Sequence, residues 1–464
     1  MKHPREYRGL EVVILGLARS GVAAAKLFHQ KGAIVTVNDK KERSACPEAD
    51  ELEALGISVV CGYHPESIVH EGVALVVKNP GIPYSGEPIR HAEALGIEVV
   101  TEVEVAYQFC KAPIIGITGS NGKTTTTTLI GLMLDAGGLA PVVAGNIGRA
   151  LTEAAPEVTE ENWMVVELSS FQLKGTTAFR PRIALLLNLY ETHLDYHGTM
   201  EDYIASKAKL FANQTEEDTA ILNWDDAVCR SIIPSLRAKV MPFSMKEALP
   251  FGVYLESRTD TIVYADGQGA VHSILPAKEM GIPGSFNVEN ALAASAAALT
   301  AGVTPMKIAD VLKTFQGVEH RLEFVRELGG VTFYNNSKAT NPAASIKSIE
   351  AFEQRVVLIA GGLDRGSDYM ELLSTFRERI KGVVTLGETR EKINRIAELA
   401  GISRRETVDT AKDAADAVSQ AVELAWKMSE AGDIVLLSPA CASWDMFPSY
   451  EDRGRMFKQS VHNL

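Results

Sequence analysis

The chain lacks any apolar run approaching the roughly 20 residues that span a bilayer. Its longest candidate, 291–303, is alanine-rich and broken by Thr300 and Gly302, so a packed helix is expected there. Membrane insertion is therefore not expected. The first residues, Met1 to Gly9, lack the apolar core of a signal peptide. Cysteine is scarce, with five residues at 46, 61, 110, 229 and 441 and no C-x-x-C pair. An odd, scattered set predicts reduced thiols in a cytoplasmic protein. An excess of positive charge is also missing. A formal net charge of −13 argues against a nucleic-acid partner, which needs a basic face. It leaves nucleotide binding open, because backbone amides and a few cations suffice for that.

What is present is the composition of a globular protein, 46% hydrophobic and 23% charged over 464 residues. That length calls for two to four domains. Short apolar strands alternate with amphipathic helices almost throughout, the pattern of parallel α/β architecture. Strands are predicted at 11–15, 33–37, 58–61, 75–77 and 98–100, with a helix over 22–30. A second group is predicted at 114–117, 163–166 and 183–187, followed by an antiparallel extension over 238–275. A third group is predicted at 331–334, 356–360, 383–386 and 434–437. The reading is α/β in three domains: an N-terminal Rossmann-like domain over 1–110, a central P-loop-type mononucleotide-binding domain over 111–316, and a C-terminal Rossmann-like domain over 317–464.

Residues 114–128 carry the strongest functional signal. An apolar run (Ile114, Ile115, Ile117) stops at a glycine-rich turn, and Lys123-Thr124 then opens a segment that reads as a helix over 129–134. Strand, flexible turn and helix N-terminus converge several backbone N–H groups on one point, with the helix dipole behind them. Lys123 can reach terminal phosphates there, and the Thr124 hydroxyl can ligate Mg²⁺. The strict G-x-x-x-x-G-K-[ST] pattern would need glycine where Ile117 stands, so the loop is a variant type. The bland alternative is a Gly/Thr-rich loop that only caps a helix.

Gly16-Leu-Ala-Arg-Ser-Gly21 also joins a strand to a helix, with Asp39 close to the usual place of a ribose-binding acid. Alone it suggests a dehydrogenase. Ala18 replaces the middle glycine, however, and no hydride-transfer site stands out. A turn that binds another nucleotide-like ligand fits better, and a tight turn with no ligand stays open. Glu167 ends the strand 163–166, where a phosphate-loop protein holds its metal, and His193 follows the strand 183–187. A lone Glu or His is usually surface or satisfied core, but both emerge on the face expected to carry Gly119–Thr124. His197 has no such placement and is read as structural. Spacing gives no reason to prefer Lys207 over Lys209.

Together these segments resemble the Mur ligases, the ATP-dependent amide-forming enzymes of peptidoglycan synthesis. Gly116-Ile-Thr-Gly-Ser-Asn-Gly-Lys-Thr124, Glu167-Leu-Ser-Ser-Phe-Gln172, Asn287-Val-Glu-Asn290, His320-Arg321 and Ser337-Lys-Ala-Thr-Asn341 stand in the family's order. Leu437-Ser-Pro-Ala-Cys-Ala-Ser-Trp-Asp445 looks like the branch that adds D-glutamate. The resemblance implies ATP, UDP-MurNAc-L-alanine and D-glutamate as substrates, an acyl-phosphate intermediate and two Mg²⁺ ions. It implies catalytic roles for Lys123, Glu167, His193 and Lys207, with Thr124, Glu167, His193 and a carbamylated Lys207 as metal ligands. Around ATP it places Gly119, Ser120, Asn121, Gly122, Lys123, Thr124, Thr125, Asn287, His320, Arg321 and Lys338. For the UDP-sugar it implies Arg19, Ser20, Lys40, Asn79 and Asn146, and for D-glutamate Thr340, Arg365 and Ser443. A monomer is expected. Asn336 stands where some members have aspartate, and either Leu363 or Asp364 takes the place of a family acid.

Overall fold

The computed structural model describes residues 1–464, apart from the side chain of Asp195. It contains three sheets. The first runs, edge to edge, Ser58–Cys61, Ile34–Asp39, Glu11–Leu15, Val73–Lys78 and Val99–Thr101, all parallel. Parallel strands need crossovers, so helices cover the faces and the strands become apolar on both sides. Val12, Ile14, Leu75 and Val77 are accordingly buried with Ala24, Leu27 and Phe28 of the helix Arg19–Gln30. That helix starts three residues before the expected 22, because Ala18 in extended conformation already serves as its N-cap.

The second sheet has nine strands, in the order Val271–Pro276, Thr261–Asp266, Phe251–Glu256, Lys239–Ser244, Thr219–Asn223, Ile183–Leu186, Ile114–Thr118, Trp163–Glu167 and Pro141–Gly145. The expected antiparallel extension over 238–275 is correct only beyond 250. Lys239–Ser244 pairs in parallel with both neighbours, and the antiparallel ladders join the last three strands alone. Alternating apolar residues do not distinguish the two pairings, since period two is common to both.

The helix after the phosphate loop runs Lys123–Gly137 and not from 129. Five threonines in its first turns weaken intrinsic helix propensity, because β-branching restricts χ1. Burial offsets this: Thr124, Thr126 and Thr127 pack inward, and the Thr128 hydroxyl donates to the Thr124 carbonyl at 2.9 Å.

The third sheet runs Glu323–Leu328, Val331–Asn335, Ile434–Leu437, Val356–Ala360, Ile380–Thr385 and Arg404–Thr407, with only the first pair antiparallel. Its two faces bury separate apolar clusters, one around Leu358, Phe376 and Ile393, the other around Phe333, Val422 and Phe457. By density of contacts the chain forms two compact units. Residues Met1–Ala277 with Glu289–Leu312 make the first, and Lys278–Val288 with Lys313–Leu464 the second. No helix is long and apolar enough to cross a membrane among the described residues.

Candidate active site

In the first unit, the strand Ile114–Thr118 lies between Trp163–Glu167 and Ile183–Leu186. The loops that leave the C-terminal ends of these strands therefore open at one edge of the sheet. Gly122 sits there at φ 83°, and a Cβ on it would lie 2.2 Å from the Asn290 amide oxygen. Only glycine lets the loop turn tightly enough to start the helix at Lys123. Asn188 braces the loop: its side-chain oxygen accepts from Asn121 N at 2.8 Å, and its carbonyl accepts from Ser120 N at 2.9 Å. The Ser120 hydroxyl shares a 2.9 Å hydrogen bond with the Tyr203 phenol.

Two ammonium groups converge on one carbonyl of this loop. Lys123 Nζ donates to Gly119 O at 2.8 Å and to Ser120 O at 3.0 Å. Lys207 Nζ donates to the same Gly119 O at 2.9 Å and to Thr118 Oγ1 at 3.2 Å. Burial pushes the Lys207 amine well below its ordinary range, and the Lys123 charge pushes it further. Lys209 is elsewhere, donating to the carbonyls of Lys174 and Thr176. Of these two lysines, which their spacing does not distinguish, Lys207 is the one that lies at the phosphate loop.

Glu167 is buried beside the loop. Its Oε1 accepts from Asn146 Nδ2 at 2.8 Å, while its Oε2 is buried with no hydrogen-bond partner. A carboxylate oxygen left so inside a protein suits a cation. Thr124 is buried at the first turn of the helix. His193 caps the short helix Leu194–His197 at φ 58°, with its ring edge-on to Phe171 at 5.0 Å. His197 is a satisfied core residue, bonded to Asp202 at 2.6 Å and Ser170 at 2.9 Å. No group of three or more His, Cys, Asp or Glu able to hold a metal occurs among the described residues. The expected metal ligands supply one carboxylate, one imidazole and one hydroxyl besides Lys207.

The UDP-sugar candidates lie in the same unit. Ser20 Oγ donates to Asn79 Oδ1 at 2.8 Å across the first turn, and Asp39 Oδ2 accepts from Leu17 N at 2.7 Å. Arg19 reaches Gly148 O at 2.5 Å, on the loop that carries Asn146. Lys40 is exposed after the second strand.

In the second unit, His320, Lys338 and Arg321 gather about Tyr450. The Lys338 ammonium lies 3.8 Å from the Tyr450 ring centroid, and His320 is edge-on to that ring. Arg321 lies close enough for its charge to act on the phenol. The His320 Nδ1 meets Asn335 at 2.9 Å, and its Nε2 is buried without a hydrogen bond, 3.7 Å from the Glu319 carboxylate. Asn287 bonds Pro283 O at 2.6 Å, and none of its described contacts reaches His320. Arg365 stacks on Trp444, 5.1 Å from the ring centroid, next to buried Ser443. Thr340 follows in the loop of Lys338, its N–H on the Lys338 carbonyl at 2.9 Å. Leu363 N donates to Ala442 O at 2.9 Å, whereas Asp364 pairs with Lys392 at 2.7 Å. Leu363 is thus the one tied to the Ser443 segment. Asn336 Oδ1 accepts from Leu322 N at 3.2 Å.

The chain matches the family models of the Mur ligase MurD-like N-terminal domain over 10–101, the Mur ligase middle domain over 117–298 and the Mur ligase glutamate ligase domain over 320–441. It is 48% identical over 465 residues to the UDP-N-acetylmuramoylalanine–D-glutamate ligase of Geobacillus sp. (strain WCH70), covering 100% of both chains. This chain belongs to the Mur ligases. The enzyme so named in Bacillus subtilis (strain 168) is 45% identical over 453 residues, 97% of each chain. In fold, this Mur ligase matches the MurF ligase of Thermotoga maritima with a TM-score of 0.57 at 16% identity, covering 100% of this chain and 97% of that one. As a Mur ligase it is an ATP-dependent enzyme that forms amide bonds.

Sequence reasoning missed three residues that build these sites. Asn188 and Tyr203 brace the phosphate loop, as described. Arg453 is fully buried in the second unit, where it donates to Ser337 Oγ at 3.0 Å, Ser337 O at 2.9 Å and Cys441 O at 3.2 Å. Burial lowers its pKa to about 10. An arginine in a charged helical stretch gives no such signal, because only the fold reveals that it points inward.

Proposed function

We propose that this Mur ligase joins D-glutamate to UDP-N-acetylmuramoyl-L-alanine. The terminal carboxylate of the UDP-sugar attacks the γ-phosphorus of ATP, ADP leaves, and an acyl phosphate forms. The amine of D-glutamate then attacks the acyl carbon. The tetrahedral intermediate expels phosphate, and the amine proton passes to solvent. A carboxylate is a poor electrophile, and phosphorylation supplies the leaving group. Catalysis then rests on positioning and on neutralising charge at the transferred phosphoryl group.

The observation that carries this reading is the pair of ammonium groups on Gly119 O, beside a buried carboxylate oxygen with no partner. Lys123 turns from the loop carbonyls to the phosphates once ATP binds. Thr124 and Glu167 would hold one Mg²⁺, and His193 and Lys207 the other. Mg²⁺, when bound, supplies the positive charge that the phosphates need. Lys207 serves as a carbamate: its neutral amine attacks CO₂, a C–N bond forms, and one proton is released. The lowered basicity of Lys207 supports this, since only the free amine reacts. The choice of D-glutamate rests on the activity for which the relatives are named and on the 437–445 segment. Thr340, Arg365 and Ser443 hold the amino acid, Arg365 by bidentate pairing with a carboxylate. Asn287, His320, Arg321 and Lys338 serve ATP, while Arg19, Ser20, Lys40, Asn79 and Asn146 serve the UDP-sugar. We place the domain boundaries at 110/111 and 316/317.

The test is phosphate release from ATP with UDP-MurNAc-L-alanine and each of several amino acids. D-glutamate is expected to give product. Turnover with L-lysine, meso-diaminopimelate or L-glutamate but not D-glutamate would overturn the assignment.

A further inference from the structure

Lys78 closes the strand Val73–Lys78 and is 1% exposed. It has no role in the mechanism above. Its Nζ donates to the carbonyls of Ile82 at 2.8 Å, Pro80 at 3.2 Å and Asn79 at 3.4 Å. A fourth contact, at 3.2 Å, is to the Tyr196 phenol, which itself donates to the Pro80 and Ile82 carbonyls at 3.1 and 3.2 Å. The Tyr84 ring centroid lies 4.6 Å from the ammonium. Every carbonyl in this cage belongs to the turn 79–82, and the phenol comes from the helix that His193 caps.

The cage has one substrate-side neighbour at each end. On the turn, Asn79 holds Ser20 and packs so closely on Gly16 that a Cβ there would lie 2.4 Å from its amide nitrogen. On the helix, Tyr196 and His193 both meet the Phe171 ring, at 4.5 and 5.0 Å. A buried ammonium surrounded by acceptors costs much to break, because each carbonyl it leaves stays out of water without a donor.

We propose that Lys78 and Tyr196 form a buried strut that sets the turn 79–82 against the His193 loop, and so fixes the spacing between the two ends of the bound UDP-sugar. Lys78 is a positioning residue: it touches neither substrate nor nucleotide. The proposal rests on the UDP-sugar placement given above. Lysine suits the position because a compact ammonium donates in three directions from a single atom, which matches carbonyls of one short turn.

The experiment measures steady-state kinetics of Lys78→Met, Tyr196→Phe, the double variant and Ser20→Ala. Loss of charged hydrogen bonds to the turn should raise the KM for UDP-MurNAc-L-alanine about tenfold in Lys78→Met, with the KM for ATP unchanged. Tyr196→Phe should raise it about threefold. The double variant should be within about twofold of Lys78→Met, since both changes break one strut. A purely structural loss lowers the active fraction and hence kcat, but leaves KM where it was. If both single variants keep the parental KM for the UDP-sugar while Ser20→Ala raises it, the strut is overturned and the substrate placement stands. If Ser20→Ala also leaves that KM unmoved, the placement falls and the strut with it. Should Lys78→Met fail to fold, Tyr196→Phe, which removes a single oxygen, decides by the same criterion.

Discussion

Lys78 and Lys207 are both buried lysines at loop edges of the first unit, and they meet the same difficulty in opposite ways. Taking an ammonium out of water is costly unless polar partners replace the solvent. Around Lys78 the replacement is nearly complete, with three carbonyls, a phenol and the Tyr84 ring. Lys207 has one hydroxyl, one carbonyl and the Tyr203 ring at 4.8 Å, and it shares that carbonyl with the Lys123 ammonium. The acceptors around Lys78 make it a structural strut, even though burial and the Lys174 charge lower it to about 7. Scarcity of acceptors makes the second ready to give up its proton. The difference teaches that burial and a like-charged neighbour, which both lysines have, do not mark a reactive lysine; the count of acceptors does.

Substitution should separate the two most sharply. Lys207→Ala is expected to lower turnover at least about a thousandfold, as removal of a charge-stabilising group in a closed site does. Short carboxylates added to the assay should restore part of it by standing in for the carbamate. The same additives should leave Lys78→Met unchanged, and full activity in Lys207→Ala would remove that residue from the mechanism.

A smaller effect is expected at the glycines beside each lysine. Gly122→Ala would place a methyl against Asn290 at a positive φ, and should raise the KM for ATP by about ten- to a hundredfold. Gly16→Ala, at φ 99° against Asn79, should raise the KM for the UDP-sugar by a similar factor and spare ATP. If both variants moved the same KM, the two turns would not serve separate ligands.

The smallest effect is in stability. Burial, and then the Lys174 charge, lower Lys78 from 10.5 to about 7. Between those values the unfolded chain binds more protons than the folded one, so stability rises with pH through that window. Chemical denaturation at pH 7 to 10 should show a slope steeper than that of Lys78→Met by at most ~1.4 kcal/mol per pH unit. Equal slopes would mean that Lys78 keeps its proton throughout.

The fold was readable where the signal was local. Apolar runs such as 356–360 and 434–437 matched strands residue for residue. The phosphate loop was readable because glycine spacing and Lys-Thr report a backbone shape. The start of its helix was not, since threonine propensity misleads when tertiary packing decides. Lys207 could be preferred to Lys209 only by resemblance, because the distinction lies in which helix face meets Gly119. Lys78 and Arg453 escaped notice for a related reason. A charged residue reads as solvent-facing until the carbonyls that surround it are seen, and those come from turns scattered through the sequence.

Arg453 has a consequence for how the second unit is made. The groups it holds, Ser337 and Cys441, with Gly361 O and Ala442 O at 3.5 Å, all precede it in the chain. A ribosome delivers them one after another, and each waits, unfastened, for a guanidinium that has not yet been synthesised. The amino-acid pocket proposed at Thr340, Arg365 and Ser443 therefore closes late, as one event. A chain stopped before residue 453 carries the phosphate loop but lacks the guanidinium that ties Ser337 to Cys441.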